Sequence, residues 1–402
     1  MDQKTTLRET FSLVFPLYVP SFLFTFSHSL LTPILPLYAK SFEVPYTLIG
    51  VVLAGESIGM LIGDLPAGML LRRLGQKGSM LIGIALTAIS TASLFWVTTI
   101  WAVVFFRMLA GLGGSLFAVS RHYFLVEMVP VHNRGRIISL YGGVFRLGRF
   151  VGPLAGGAIA AAFGLRSSFL FFGGICLLAL VIITFVLPHV EVRKESESVG
   201  FRASLKQFLE MFRSMYKVLA TCGLGALFLQ VVRSGPATVI PLYAADILEL
   251  DVRAISLIVG ISAGLEMLVF LPAGLMMDRL GRKYAVITSC ITLGLGIALV
   301  PLTTGFGGLL MAGMLAGLGG GFGSGALLTL GSDLAPEKGR GEFLGSWTLI
   351  GDIGSTSGPL IVGSLADFMP LPPTAWFIAA SGGIAGTIFL LFVPETLKAR
   401  AK

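Results

Sequence analysis

The stretch LPAGMLLRRLGQK at residues 65–77 is written a second time, as LPAGLMMDRLGRK at residues 271–283, an offset of 206. The same offset carries Leu109-Ala110-Gly111-Leu112-Gly113-Gly114 onto Leu315-Ala316-Gly317-Leu318-Gly319-Gly320, Gly152-Pro153 onto Gly358-Pro359, Arg134-Gly135 onto Arg340-Gly341, and Pro188 onto Pro394. Near the start of each half, Pro36-Leu37-Tyr38-Ala39 matches Pro241-Leu242-Tyr243-Ala244 at an offset of 205. Matches at one spacing across a whole half indicate duplication, so the two halves are expected to share a fold.

The quoted stretch lies between apolar runs, and such runs fill the chain. Of 402 residues 55% are hydrophobic and 12% charged, with a mean hydropathy of +0.88. An ordinary soluble domain is about 25% charged. Crossing ~30 Å of hydrocarbon takes about 20 apolar residues in a helix. Runs of that length predict helices over 13–38, 46–70, 78–97, 100–126, 137–162, 166–188, 218–245, 254–276, 284–302, 307–333, 342–368 and 374–394. They lack the roughly ten-residue alternation of barrel strands. The fold class expected is therefore all-α integral membrane, with twelve spans in two six-helix bundles. Residues 1–188 form the first bundle, 189–217 a cytoplasmic linker, and 218–402 the second bundle with a short tail. Within the linker, Phe201, Leu205, Phe208, Leu209 and Phe212 recur at helical spacing among basic residues, which predicts an amphipathic helix on the inner membrane surface. The first apolar run is too long for a cleavable signal and is read as helix 1.

The net charge of +8 does not mark a nucleic-acid binder. With the N-terminus inside, 21 of the 29 Lys and Arg residues fall on the cytoplasmic side and only Lys40, Arg166 and Arg253 on the other. That asymmetry orients a multi-pass protein of the cell membrane with both termini cytoplasmic. Cys176, Cys222 and Cys290 lie within predicted helices without metal-ligand spacing and are read as packing residues. No cofactor, metal or nucleic acid is expected; the partners expected are lipid, a small molecule and protons, with the chain a monomer.

These residues resemble the major facilitator superfamily over essentially the full chain, most closely its proton-coupled drug and metabolite exporters. Gly274-xxx-Asp278-Arg279-x-Gly281-Arg282-Lys283 is similar to the family's loop signature, a cytoplasmic latch of glycines, an acid and several bases. The first copy keeps Gly68, Arg73, Gly75 and Lys77 but has Arg72 at the acidic position and Gln76 in place of a base. Either Asp64, two turns earlier, is a substitute acid, or the first-half latch is weak and only the second half has the usual one. Arg107-xxx-Gly111-x-Gly113 resembles the motif of proton-coupled members, whose arginine modulates a carboxylate in the central cavity. Gly148-xxx-Gly152-Pro153-xx-Gly156-Gly157 resembles the helix-packing signature of proton-exchanging exporters.

An ionisable side chain at mid-bilayer costs at least ~2.5–3.5 kcal/mol, so each one requires a partner or water. Glu56, Asp352 and Glu266 are the proton-coupling candidates, and His28, Arg107, Arg146, Arg149 and Arg233 the substrate-cavity candidates. The repeat matches Arg146 with Asp352, and His28 with Arg233 at the local offset of 205, while Glu266 is expected to partner either Arg233 or substrate. Arg121 and His122 are read as gate or interface groups near the inner end of helix 4. Phe117, Phe145 and Trp347 line either a pocket or a helix seam. The function expected is secondary active transport by alternating access, with proton-coupled export of a small amphipathic compound. An organic-anion or phosphorylated-metabolite exchanger built on the arginines is the alternative, with a channel or non-transporting receptor more remote. An enzyme is not expected: the chain has no phosphate loop, His-Glu-x-x-His or Gly-x-Ser-x-Gly motif.

Overall fold

The computed structural model describes residues 7–129, 131–188, 213, 215–336 and 339–397, and the predicted linker helix lies almost wholly outside them. Among the described residues the regular elements are helices, with no strand. In the first half they are α1 (Leu7–Leu30), α2 (Ile34–Lys40), α3 (Tyr46–Ser93), α4 (Ile100–Met128), α5 (Val131–Phe163) and α6 (Ser167–Val186). In the second half a π-turn at Leu219–Gly223 leads into α7 (Leu224–Asp246). Then follow α8 (Val252–Arg279), α9 (Arg282–Leu299), α10 (Phe306–Phe322), α11 (Ala326–Leu334), α12 (Arg340–Phe368) and α13 (Leu371–Phe392).

The twelve predicted spans correspond to these helices once three boundaries are redrawn. The run at 13–38 breaks where Pro33, lacking an N–H, separates α1 from α2. The runs at 46–70 and 78–97 are joined in α3, interrupted by Gly75 at φ +74°. The run at 307–333 is split between α10 and α11, where Gly325 takes φ +85°. Nine helical stretches among the described residues are long and apolar enough to cross a membrane. The remaining three predicted spans are the second part of α3, α5 with Arg146 and Arg149, and α12 with Asp352.

Phe185 and Phe368 are 82% and 88% exposed, and large apolar side chains stand outward along most helices. A surface of this kind is stable only against lipid.

The chain divides into two compact units. The first comprises Met1–Val44, Val51–Lys194 and Val252–Gly260, and the second Pro45–Gly50, Glu195–Asp251 and Ile261–Lys402. In the first, α5 lies directly on α1, because Gly148, Gly152 and Gly156 form a stripe without side chains. A Cβ at Gly148 would lie 3.1 Å from the Phe26 nitrogen, at Gly152 2.6 Å from Ser29 Cβ, and at Gly156 on the Leu30 carbonyl. Pro153 is tolerated inside α5, and Gly157 faces Ser256 of the Val252–Gly260 segment. In the second unit, Gly354 and Gly358 of α12 sit in the same way on α7, at Leu227 and Ser234. Also in the second unit, the N–H groups of Tyr46 and Thr47 donate to Asp367 at 2.7 and 2.9 Å, satisfying free donors of the α3 N-terminus.

Candidate functional site

In the first unit three helices bring one acid and two bases together. Glu56 stands on α3, where Gly111 lets α4 approach so closely that an added Cβ would fall on the Glu56 carbonyl oxygen. That contact places Arg107, one turn earlier on α4, against the carboxylate: Arg107 Nη2 donates to Glu56 Oε2. From α1, His28 Nδ1 lies 2.9 Å from Glu56 Oε1. The Glu56 side chain is 16% exposed and that of Arg107 7%, so the charges are largely withdrawn from solvent and hold each other. His28 Nε2 has no hydrogen-bond partner among the described residues. The imidazole thus holds the acid by one nitrogen and keeps the other unengaged among the described residues. Its ring is fixed by Phe24, with centres 4.4 Å apart, and by Phe172 at 5.1 Å.

The second unit has a related cluster with different chemistry. Arg233 of α7 occupies the repeat position of His28, and its Nη2 lies 3.2 Å from Glu266 Oε1 on α8. Arg233 also donates to the carbonyls of Gly320 and Gly323 at 3.3 and 3.4 Å. The position matching Glu56 is Ser262, and the acid has moved one helical turn along the same face. Both units therefore join the first helix of the repeat to the second through a base and an acid. Histidine and carboxylate exchange protons readily, whereas a guanidinium does not.

The remaining predicted residues are distributed as follows. Arg146 is half-buried and donates from Nη1 to the Gly142 carbonyl of its own helix at 2.9 Å, while Arg149 is exposed. Asp352 is half-buried on α12. Asp64 accepts a hydrogen bond from Ser115 of α4 at 2.5 Å.

The latch differs between the units. In the second, Arg282 Nε lies 3.3 Å from Asp333 and its Nη2 3.8 Å from Asp278. Glu395 accepts from the N–H groups of Arg282 and Lys283 at 3.1 and 3.2 Å, capping α9. Gly281 turns the chain at φ +120°, and a Cβ there would strike the Glu395 carboxylate. Arg279 is exposed, and Gly274 has open space where a Cβ would stand. In the first unit Arg72 and Arg73 are exposed, Gln76 is buried, Gly68 has open space, and Lys77 donates to the Leu187 carbonyl at 2.8 Å.

Sequence reading missed Glu395 and Ser115. The signal for Glu395 was its place beside Pro394, which the repeat pairs with Pro188; nothing marks Ser115 among the many serines of an apolar helix. Among the described residues no group of three or more His, Cys, Asp or Glu side chains is arranged to hold a metal ion.

Comparison with known proteins agrees with this architecture. The family model of the Major Facilitator Superfamily matches residues 17–231 and 222–402. An uncharacterized MFS-type transporter of Methanocaldococcus jannaschii is 21% identical over 383 residues, 94% of this chain and 97% of that one. The quinolone resistance protein NorA of Staphylococcus aureus is 24% identical over 385 residues, 94% of this chain and 95% of NorA. The crystal structure of a D-xylose–proton symporter shares the fold with a TM-score of 0.75 at 18% identity, covering 96% of this chain and 98% of the symporter. The chain belongs to the Major Facilitator Superfamily. It is a multi-pass membrane transporter and not an enzyme.

Proposed function

We propose that the chain exports a small amphipathic compound in exchange for protons, by alternating access of its two bundles, and that Glu56 with His28 carries the proton. The observation that supports this reading is the His28–Glu56–Arg107 cluster: a largely buried carboxylate held by a group that exchanges protons and a group that does not. A proton arriving on Glu56 removes the charge that holds Arg107, and the freed guanidinium must find another partner. That coupling of protonation to side-chain movement is what an exchanger requires. Similarity to NorA, named for quinolone resistance, supports outward transport of a drug-like compound. The positive-inside asymmetry supports cytoplasmic termini, and the repeat supports a first bundle at 1–188, a linker at 189–217 and a second bundle at 218–402. The Arg233–Glu266 pair, with its permanently charged base, serves as the fixed counterpart.

The test uses inverted membrane vesicles energised by respiration, with uptake of a fluorescent lipophilic cation as readout. Wild type is expected to accumulate the dye until a protonophore is added, and Glu56→Gln to accumulate none. Accumulation by Glu56→Gln that still responds to the protonophore would place the proton elsewhere.

A further inference from the structure

Beside the His28–Glu56–Arg107 cluster, two helices form an arrangement that the sequence leaves open between a pocket and a helix seam. Phe117 and Arg121 stand one turn apart on α4, and Tyr141 and Phe145 one turn apart on α5. The Arg121 guanidinium carbon lies 5.4 Å from the ring centre of Phe117, 5.4 Å from that of Tyr141 and 6.0 Å from that of Phe145. Three aromatic faces within about 6 Å of one cation is the geometry by which proteins recognise quaternary ammonium groups. Two walls of this cage are buried. Phe117 is fully buried, and Tyr141 is braced by Tyr18, whose ring centre lies 5.8 Å away. Phe145 and Arg121 are half-buried and form the open edge.

Arg121 makes no ion pair or hydrogen bond among the described residues. A guanidinium within a membrane-spanning helix ordinarily has an acid or carbonyls as partners, as Arg107 and Arg233 do. Among the described residues Arg121 has only the rings, which hold a cation by its charge and shape rather than by directed bonds. The cage is also continuous with the proton cluster. Phe117 packs on Phe24 with ring centres 4.5 Å apart, Phe24 on His28 at 4.4 Å, and His28 meets Glu56.

We propose that Phe117, Tyr141 and Phe145 are a binding subsite for a lipophilic organic cation, and that Arg121 occupies it as a tethered placeholder which the substrate displaces. The inference rests on the export reading and specifies the charge of the exported compound as positive. An aromatic cage does not discriminate by hydrogen-bond pattern, so it accepts phosphonium, quaternary ammonium and delocalised dye cations alike. The arginine keeps the rings covered when no substrate is present. The column of rings through Phe24 gives a displaced Arg121 and a loaded cage a packed route to His28.

The experiment is equilibrium binding of radiolabelled tetraphenylphosphonium to the purified full-length protein in detergent, with no pH gradient and with neutral triphenylphosphine oxide as a control. Arg121→Met removes the competing charge at similar volume and is expected to bind the cation about tenfold more tightly, the scale of one cation–π competitor lost. It should leave binding of the neutral probe unchanged. Arg121→Lys, which keeps the charge, should stay near wild type. Tyr141→Leu added to Arg121→Met should abolish the gain. The proposal is overturned if Arg121→Met binds the cation no better, if the neutral probe gains equally, or if the gain survives Tyr141→Leu. Should Arg121→Met not fold, as judged by gel filtration, Phe145→Leu at the open edge decides: weakened cation binding supports the cage and unchanged binding contradicts it. Because no gradient is present, a negative result here leaves the proton reading standing, and failure of Glu56→Gln to abolish exchange leaves the cage standing.

Discussion

A carboxylate held between an imidazole and a guanidinium has a partner on each oxygen, and Glu56 has His28 on Oε1 and Arg107 on Oε2. Removing the imidazole leaves one carboxylate oxygen without its bond. His28→Ala is therefore expected to lower stability by about 1–3 kcal/mol, the cost of a buried charged acceptor losing a donor, read as a drop in the detergent unfolding temperature. An unchanged temperature would show that His28 does not hold the acid. Glycines make an equally sharp comparison, because the same loop signature contains one that matters sterically and one that does not. Gly281 takes φ +120° and abuts Glu395, whereas Gly274 has nothing within 4 Å of a Cβ. Gly281→Ala should cost about 1–3 kcal/mol from strain and from displacement of the Glu395 cap. Gly274→Ala should stay within about 0.5 kcal/mol of wild type. Similar losses in both variants would contradict the distinction.

At the scale of elements, the stripe of Gly148, Gly152 and Gly156 sets how closely α5 lies on α1, the helix that carries His28. Gly156→Val would force the valine against the Leu30 carbonyl, and overpacking of this kind costs about 1–3 kcal/mol. A thermal-shift measurement on the purified variant checks the loss; the same substitution at Gly174, which meets nothing within 4 Å, is the control. The helices, the duplication and this stripe are legible in the sequence because each is a pattern along the chain: apolar length, offset, or glycines four apart. The breaks at Pro33 and Gly325 are less legible, since a proline or glycine in an apolar run bends a helix in one place and is absorbed in another, as Pro153 is. The site is legible in its residue types and in part of its pairings, since Glu266 with Arg233 is an expected pair that the structure forms. Glu56, His28, Arg107, Glu266 and Arg233 stand out as charges in apolar runs, yet the offset alone pairs Arg146 with Asp352 and is silent on Arg107 with Glu56. Arg121 reads as a gate or interface group from its place near the inner end of α4, and its cage goes unseen because rings in a membrane helix carry no positional signal of their own.

For the whole molecule, the duplication supplies two copies of one fold, and the copies differ in their charged side chains. The second unit has a latch of Arg282, Asp333 and Glu395. In the first copy the repeat positions of Asp278, Arg282 and Glu395 are Arg72, Gln76 and His189. The second unit also fixes its central acid with an arginine, whereas the first uses a histidine in the equivalent helix. The equivalent helix thus carries a permanently charged base in one half and a proton-exchanging base in the other, as expected if the first half carries the proton. The most direct measurement is substrate-induced proton movement in proteoliposomes holding a trapped pH dye, with counterflow of a labelled lipophilic cation recorded in the same preparation. Wild type is predicted to show both proton movement and counterflow, and Glu56→Gln to retain counterflow while moving no protons. Proton movement that persists at the wild-type rate in Glu56→Gln would contradict the account.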